Sequence, residues 1–121
     1  MQNYKNIENE FVSNYYKNMS ISGIVNNLGI FTEKALCILN NEELIGAYYV
    51  LIRMAQNNIN RILYKNVIHS CEPTDNGYII KVSGNCQLVN FQNQIIKECG
   101  FSETFFISYN YKITNYIGHY F

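Results

Sequence analysis

At Arg61 the apolar residues change their spacing, and this switch constrains the fold more than any other feature of the chain. Upstream, the period is helical. Phe11, Tyr15 and Met19 fall at i, i+4 and i+8 with Val12 and Tyr16 beside them, while Asn9, Ser13, Asn14, Lys17 and Asn18 take the other side. That pattern predicts an amphipathic helix. Ile24, Val25 and Leu28 mark a shorter helix from Ile21 to Leu28, stopped by Gly29. Ala35 to Leu39 reads as a short buried strand that turns at 40–43 and returns through Leu44 and Ile45. Gly46 then precedes a third helix, Ala47 to about Asn57.

Downstream of Arg61 the period is two. Ile62, Tyr64, Asn66 and Ile68 alternate with Leu63, Lys65, Val67 and His69, and both sets carry apolar groups. The run Glu72-Pro73-Thr74-Asp75-Asn76-Gly77 predicts a turn, with Pro73 stopping the strand. Tyr78 to Leu88 returns with Tyr78, Ile80, Val82 and Cys86 on one face. Asn90 to Gln94 is a polar connection. Phe101 to Tyr109 places Phe101, Phe105, Ile107 and Tyr109 in step, interrupted by Glu103, and Tyr111 to Phe121 is a last strand. Helices first and a meander afterwards predicts an α+β fold, a curved antiparallel sheet with N-terminal helices packed on one face. A length of 121 residues suits one domain spanning 1–121.

Charge narrows the function classes. Nine basic and nine acidic residues cancel, so neither a general basic surface for nucleic acid nor an acidic tail is expected. Hydrophobic types make up 48% and charged types 15%, which excludes the disordered class. Cys37, Cys71, Cys86 and Cys99 include no C-x-x-C pair, and His69 and His119 stand apart from any cysteine pair, so no metal and no cofactor are expected. The N-terminal residues carry no apolar run of the secretory kind, and four free thiols in a nuclear or cytoplasmic protein is the expectation.

Several strings, in order, resemble the nuclear transport factor 2-like family. They are Phe11-Val12-x-x-Tyr15-Tyr16 in the first helix, Gly46 before the third, and Cys71-Glu72-Pro73-Thr74 followed by Val82-Ser83-Gly84. Phe101-Ser102-Glu103-Thr104-Phe105 and Thr114-Asn115 complete the series, which spans about Glu10 to Phe121. The resemblance implies a cone-shaped fold and a non-enzymatic nucleocytoplasmic transport role that places the protein in nucleus and cytoplasm and at the nuclear pore. It implies dimerisation through the sheet, either with a second copy or with a larger export receptor, with Tyr64, Lys81 and Ile117 in the interface. It further implies binding of Phe-rich nucleoporin repeats, which Tyr120 and Phe121 would line. Members that import Ran-GDP carry an acidic loop where this chain has Asn85 to Gly100, whose one acid is Glu98. The small subunit of the messenger-RNA export heterodimer is therefore at least as good a match. Neither a membrane nor nucleic acid is an expected direct partner.

The wider fold also includes isomerases, dehydratases and polyketide cyclases, which place Asp, His or Tyr in the cone. Here the sole aspartate, Asp75, lies in the turn, and neither histidine sits in a carboxylate pattern. A small-ligand or isomerase-type enzyme using the cone cavity is the alternative reading.

Overall fold

The computed structural model describes residues 4–121; Met1, Gln2 and Asn3 of the expected domain lie outside the described residues. The chain runs α1 (Tyr4–Ser22), a 3-10 helix (Gly23–Ile30), β1 (Phe31–Leu39), β2 (Glu42–Ile45), α2 (Ala47–Gln56), β3 (Arg61–Thr74), β4 (Gly77–Val89), β5 (Ile95–Ser108) and β6 (Ile113–Tyr120). Six strands form one sheet in the order β2-β1-β6-β5-β4-β3. No helix among the described residues is long and apolar enough to cross a membrane.

α1 forms where the i, i+4 pattern requires it and buries Val12, Tyr15, Tyr16 and Met19. Full burial of a large apolar side chain stabilises by about 1.5–3 kcal/mol, so this stripe alone holds the helix on the sheet. Its rings stand edge-on to the strands, Tyr15 at 4.8 Å from Phe105 and Tyr16 at 4.6 Å from Tyr64. The expected short helix after α1 is present, but it winds as a 3-10 helix and runs through Gly29 to Ile30. Buried Asn27 fastens it to α1, donating to the Tyr15 carbonyl at 3.0 Å and accepting from Asn18 at 3.0 Å.

Strand burial alternates as the period-two pattern requires. On β4 and β5, Ile80, Val82, Cys86, Leu88, Phe101, Glu103, Phe105 and Ile107 point into the core. Three expectations need correction. The sheet is mixed, because β1 runs parallel to β6 while every other pair is antiparallel. The crossover through α2 allows this, since parallel neighbours need a long connection. Pro73 does not stop β3, which continues through it to Thr74. β3 is the sheet edge, where a missing N–H on the open side leaves no ladder bond unmade. The strand expected from Phe101 begins earlier, at Ile95, so Asn85 to Gly100 is largely the two limbs of the β4–β5 hairpin around the expected connection at 90–94.

A register shift between Lys65 and Ile68 interrupts the β3–β4 ladder, and Asn66 there has φ 54°. Across from this bulge stands Gly84, where a Cβ would meet the Lys65 and Asn66 carbonyl oxygens at 2.9 Å. Such bulges bend a strand and strengthen its twist.

Candidate functional site

The inner face of β5 reads Phe101, Glu103, Phe105, Ile107, so one carboxylate enters an apolar row. Glu103 is 1% exposed. Tyr16, carried in by α1, donates to its Oε1 at 2.7 Å. Tyr116 and Tyr120 of β6 both donate to Oε2, Tyr120 at 3.0 Å. The hydroxyls of Tyr120 and Tyr64 lie 3.1 Å apart, which extends the chain of phenols to β3. Three strands and a helix thus converge on one acid.

A glycine makes the convergence possible. Gly118 sits directly opposite Glu103 in the β5–β6 register. A Cβ there would lie 2.0 Å from the Tyr116 hydroxyl. Tyr116, two residues earlier on the same face, therefore lays its ring over Gly118 to reach the carboxylate.

Burial pushes the Glu103 carboxyl above its ordinary value, against the three phenol hydrogen bonds that pull it down. Desolvation wins because a charged carboxylate loses more on leaving water than these neutral donors return. The phenols of Tyr16, Tyr64, Tyr116 and Tyr120 are all held well above the usual tyrosine range, by burial first and by the Glu103 charge next. They remain protonated and act as donors.

The cluster is enclosed by rings. Tyr16 and Tyr64 pack on Phe101, and Phe105 closes on Tyr15 and Tyr116. Tyr120 links it to a sizeable cavity. That side chain also lines a pocket of about 410 Å³ beside α2, with Leu39, Met54, Ile62 and Leu88 on its walls. Among the described residues the Glu103 oxygens accept only from these three phenols, so the arrangement holds a proton donor set in place without presenting a base to solvent.

The residues singled out from the sequence divide between the two sheet faces. Tyr64 points inward, into the phenol network, and is not on the outer face where a sheet-to-sheet interface would lie. Lys81 and Ile117 do share that outer face. They belong to one cross-strand row, Ser70, Lys81, Thr104, Ile117, Ile38 and Glu43. Tyr120 is turned inward and stacks on Phe101 at 6.1 Å. Phe121 projects, 66% exposed, and its N–H donates to the Gly100 carbonyl at 2.9 Å. His69 stands opposite Val82 on the inner side, at the contact between β3 and α1 and away from Glu103. Its Nδ1 pairs with Glu8 Oε2 on α1, while the other Glu8 oxygen faces the Lys5 ammonium at 3.8 Å.

These elements define a cone, with helices lying against the inner side of a bent six-stranded sheet. The chain has the nuclear transport factor 2-like fold. No protein-family profile matches the sequence, and no curated protein matches it either. Solved structures do match in fold. Nuclear transport factor 2 from Cryptosporidium parvum superposes with a TM-score of 0.77 at 18% identity, over 97% of this chain and 94% of that one. A chain of the Mtr2–Mex67 M domain complex of C. albicans gives 0.75 at 9% identity, over 96% and 94%. A candidate polyketide cyclase from Xanthomonas campestris gives 0.74 at 15% identity, over 98% and 93%. The fold is therefore shared by transport factors and by enzyme-like proteins alike.

Glu103 is the residue that strand reading passes over. It registers in the sequence as an interruption of the Phe101, Phe105, Ile107 alternation. A charged residue in the inward phase of an apolar strand needs buried partners, and that rule is the signal that marks it.

Proposed function

We propose that the chain is a non-enzymatic transport factor that works in nucleocytoplasmic traffic as one half of a dimer, passing between nucleus and cytoplasm through weak contacts with the Phe-rich repeats of the pore. The outer sheet face is the observation that carries this reading. Ile79, Phe106, Leu36 and Ile45 follow one another across it, with Asn115 between Phe106 and Leu36. The next row holds Ile117, 44% exposed, and beyond it Ile68 is 70% exposed. α1 and α2 pack on the opposite, inner side, so no described element covers these groups. A broad apolar face rimmed by Ser, Thr and Lys is what a partner sheet covers.

The centre of the cone supports the same reading. It is closed by rings and its carboxylate is fully occupied by phenols, which favours a scaffold over a catalyst. Lys81 sets the partner's chemistry: a buried ammonium wants a carboxylate opposite it. A larger receptor can supply one, and in a self-paired dimer Glu43, at the far end of the same row, can do so. The 90–94 turn contains no acid, and the Glu98 carboxylate accepts from Gln87 at 2.6 Å. That supports an export-type scaffold over Ran-GDP import. With Tyr120 withdrawn into the network, Phe121 is the terminal ring left for pore repeats.

Light scattering on the purified protein and affinity capture from native extract test the proposal together. We expect either a homodimer or recovery of a larger export receptor, and Ile117→Glu to weaken the association about 100-fold, the effect of charging the centre of an apolar interface. A protein that stays monomeric and captures neither a receptor nor Ran refutes it. A second reading, a small apolar ligand in the 410 Å³ pocket beside Tyr120, rests on that cavity's access to the phenol network. It would be favoured by a ligand that copurifies and is lost on blocking the pocket with Leu88→Trp.

A further inference from the structure

Cys86 and Cys99 face each other across β4 and β5. Their sulfurs lie 3.4 Å apart. We propose that this pair is a modification site, a dithiol that closes to a disulfide in response to low-molecular-weight disulfides of the oxidised-glutathione class.

Geometry supports closure without backbone movement. Residues directly opposite in antiparallel strands have Cα atoms about 4.5–5.5 Å apart, inside the window of about 4.4–6.8 Å that disulfides occupy. The sulfurs need approach by only about 1.4 Å to reach bonding distance. The other two thiols are placed differently. Cys37 is fully buried, with its thiol towards the Ala35 carbonyl at 3.7 Å, and Cys71 lies on the edge strand opposite Ile80.

The two members of the pair also differ in a useful way. Cys86 is buried and burial pushes its thiol well up, so it does not react first. Cys99 is half-buried and is the more accessible of the two. Attack therefore starts at Cys99. Its thiolate displaces one glutathione thiolate from the oxidised dimer and forms a mixed disulfide. Cys86 then loses its proton and attacks the Cys99 sulfur, breaking that mixed bond and releasing the second glutathione thiolate. Two protein thiols are oxidised, one glutathione disulfide is reduced, and the two protons from the cysteines end on two glutathiones.

The bond would close at a sensitive place. Cys86 pairs with Tyr64 in the β3–β4 register, and Tyr64 stands on Phe101 at 4.8 Å. A disulfide here staples the hairpin beside the phenols that hold Glu103.

The experiment equilibrates the full chain in glutathione redox buffers, counts thiols under denaturing conditions and maps linked peptides by mass spectrometry. We expect two of the four thiols to disappear, with a Cys86–Cys99 peptide lighter by two hydrogens, reversal by dithiothreitol, and a rise in melting midpoint of about 5 °C. Cys86→Ser should stop at a glutathione adduct on Cys99, whereas Cys99→Ser should leave Cys86 unmodified. The proposal fails if wild type accumulates a stable adduct instead of the bond. It equally fails if the linked peptide contains Cys37 or Cys71, or if all four thiols survive.

Discussion

Replacing Glu103 by leucine isolates the energetic logic of the cone. Leucine fills nearly the same volume, so little cavity is created, but Tyr16 and Tyr116 lose their acceptor in a sealed environment. Tyr120 keeps the Tyr64 hydroxyl as a neighbour. Each orphaned buried donor costs about 1–3 kcal/mol, so two of them cost about 2–6 kcal/mol. Removing a carboxyl that burial already disfavours offsets part of this, and we expect a net loss of about 3 kcal/mol at neutral pH. The chain contains no Trp, so urea unfolding is best followed by circular dichroism. Removing donors with the acceptor should repair the damage. The triple variant Tyr16→Phe, Glu103→Leu, Tyr116→Phe is expected within about 1 kcal/mol of wild type, because deleting both partners of a buried hydrogen bond is nearly neutral. The reasoning is refuted if Glu103→Leu alone is neutral, or if the triple variant is no more stable than the single one.

Other expectations concern the same network and its surroundings. Because the folded Glu103 carboxyl titrates above its ordinary 4.5, the native state binds the extra proton between that value and the folded pKa. Its contribution to stability is thus full below 4.5 and declines as pH rises through the folded pKa. Denaturant titrations across that range should show wild type losing stability relative to Glu103→Gln as pH increases; parallel curves would contradict the buried-acid assignment. Gly118→Ala should push the Tyr116 ring off the carboxylate and cost about 2–3 kcal/mol by overpacking, read as a lowered melting midpoint, with Tyr116→Phe recovering part of it. His69→Ala strips the buried Glu8 carboxylate of its hydrogen-bond partner, leaving the Lys5 contact. It should destabilise by about 1–3 kcal/mol, with faster amide exchange at the start of α1.

The elements of this fold were legible because their periods are clean. α1, α2 and the long strands β3 to β6 follow directly from i, i+4 and i, i+2 spacing, and Gly46 marks the start of α2 with φ 95°. What escaped depends on contacts far apart in the chain. That β1 lies parallel to β6 is decided by where the last strand lands, which no local spacing encodes. Pro73 reads as a stop because sequence does not say which strand is the edge. The site was hidden for a similar reason. Tyr16, Glu103, Tyr116 and Tyr120 come from three elements, and each alone is an aromatic or an acid in an otherwise ordinary pattern. The family resemblance gives Tyr64 and Tyr120 outward roles, although both fall in the inward phase of their strands, opposite Cys86 and Phe101 respectively. Following the register from Glu103 would have placed them inside.

The two rims of the sheet bear on how copies of this chain can meet. One rim is β2, four residues long and carrying Glu42 and Glu43. The other is β3, long enough to template another strand but broken by its bulge and by Pro73. A neighbouring chain seeking to extend the ladder meets acids and a short ledge on one side, and a kinked backbone with a missing donor on the other. Runaway growth of the sheet into fibres is thereby discouraged at both margins. The association proposed above would then proceed broadside, where side-chain shape, and not the promiscuous pairing of peptide groups, selects the companion.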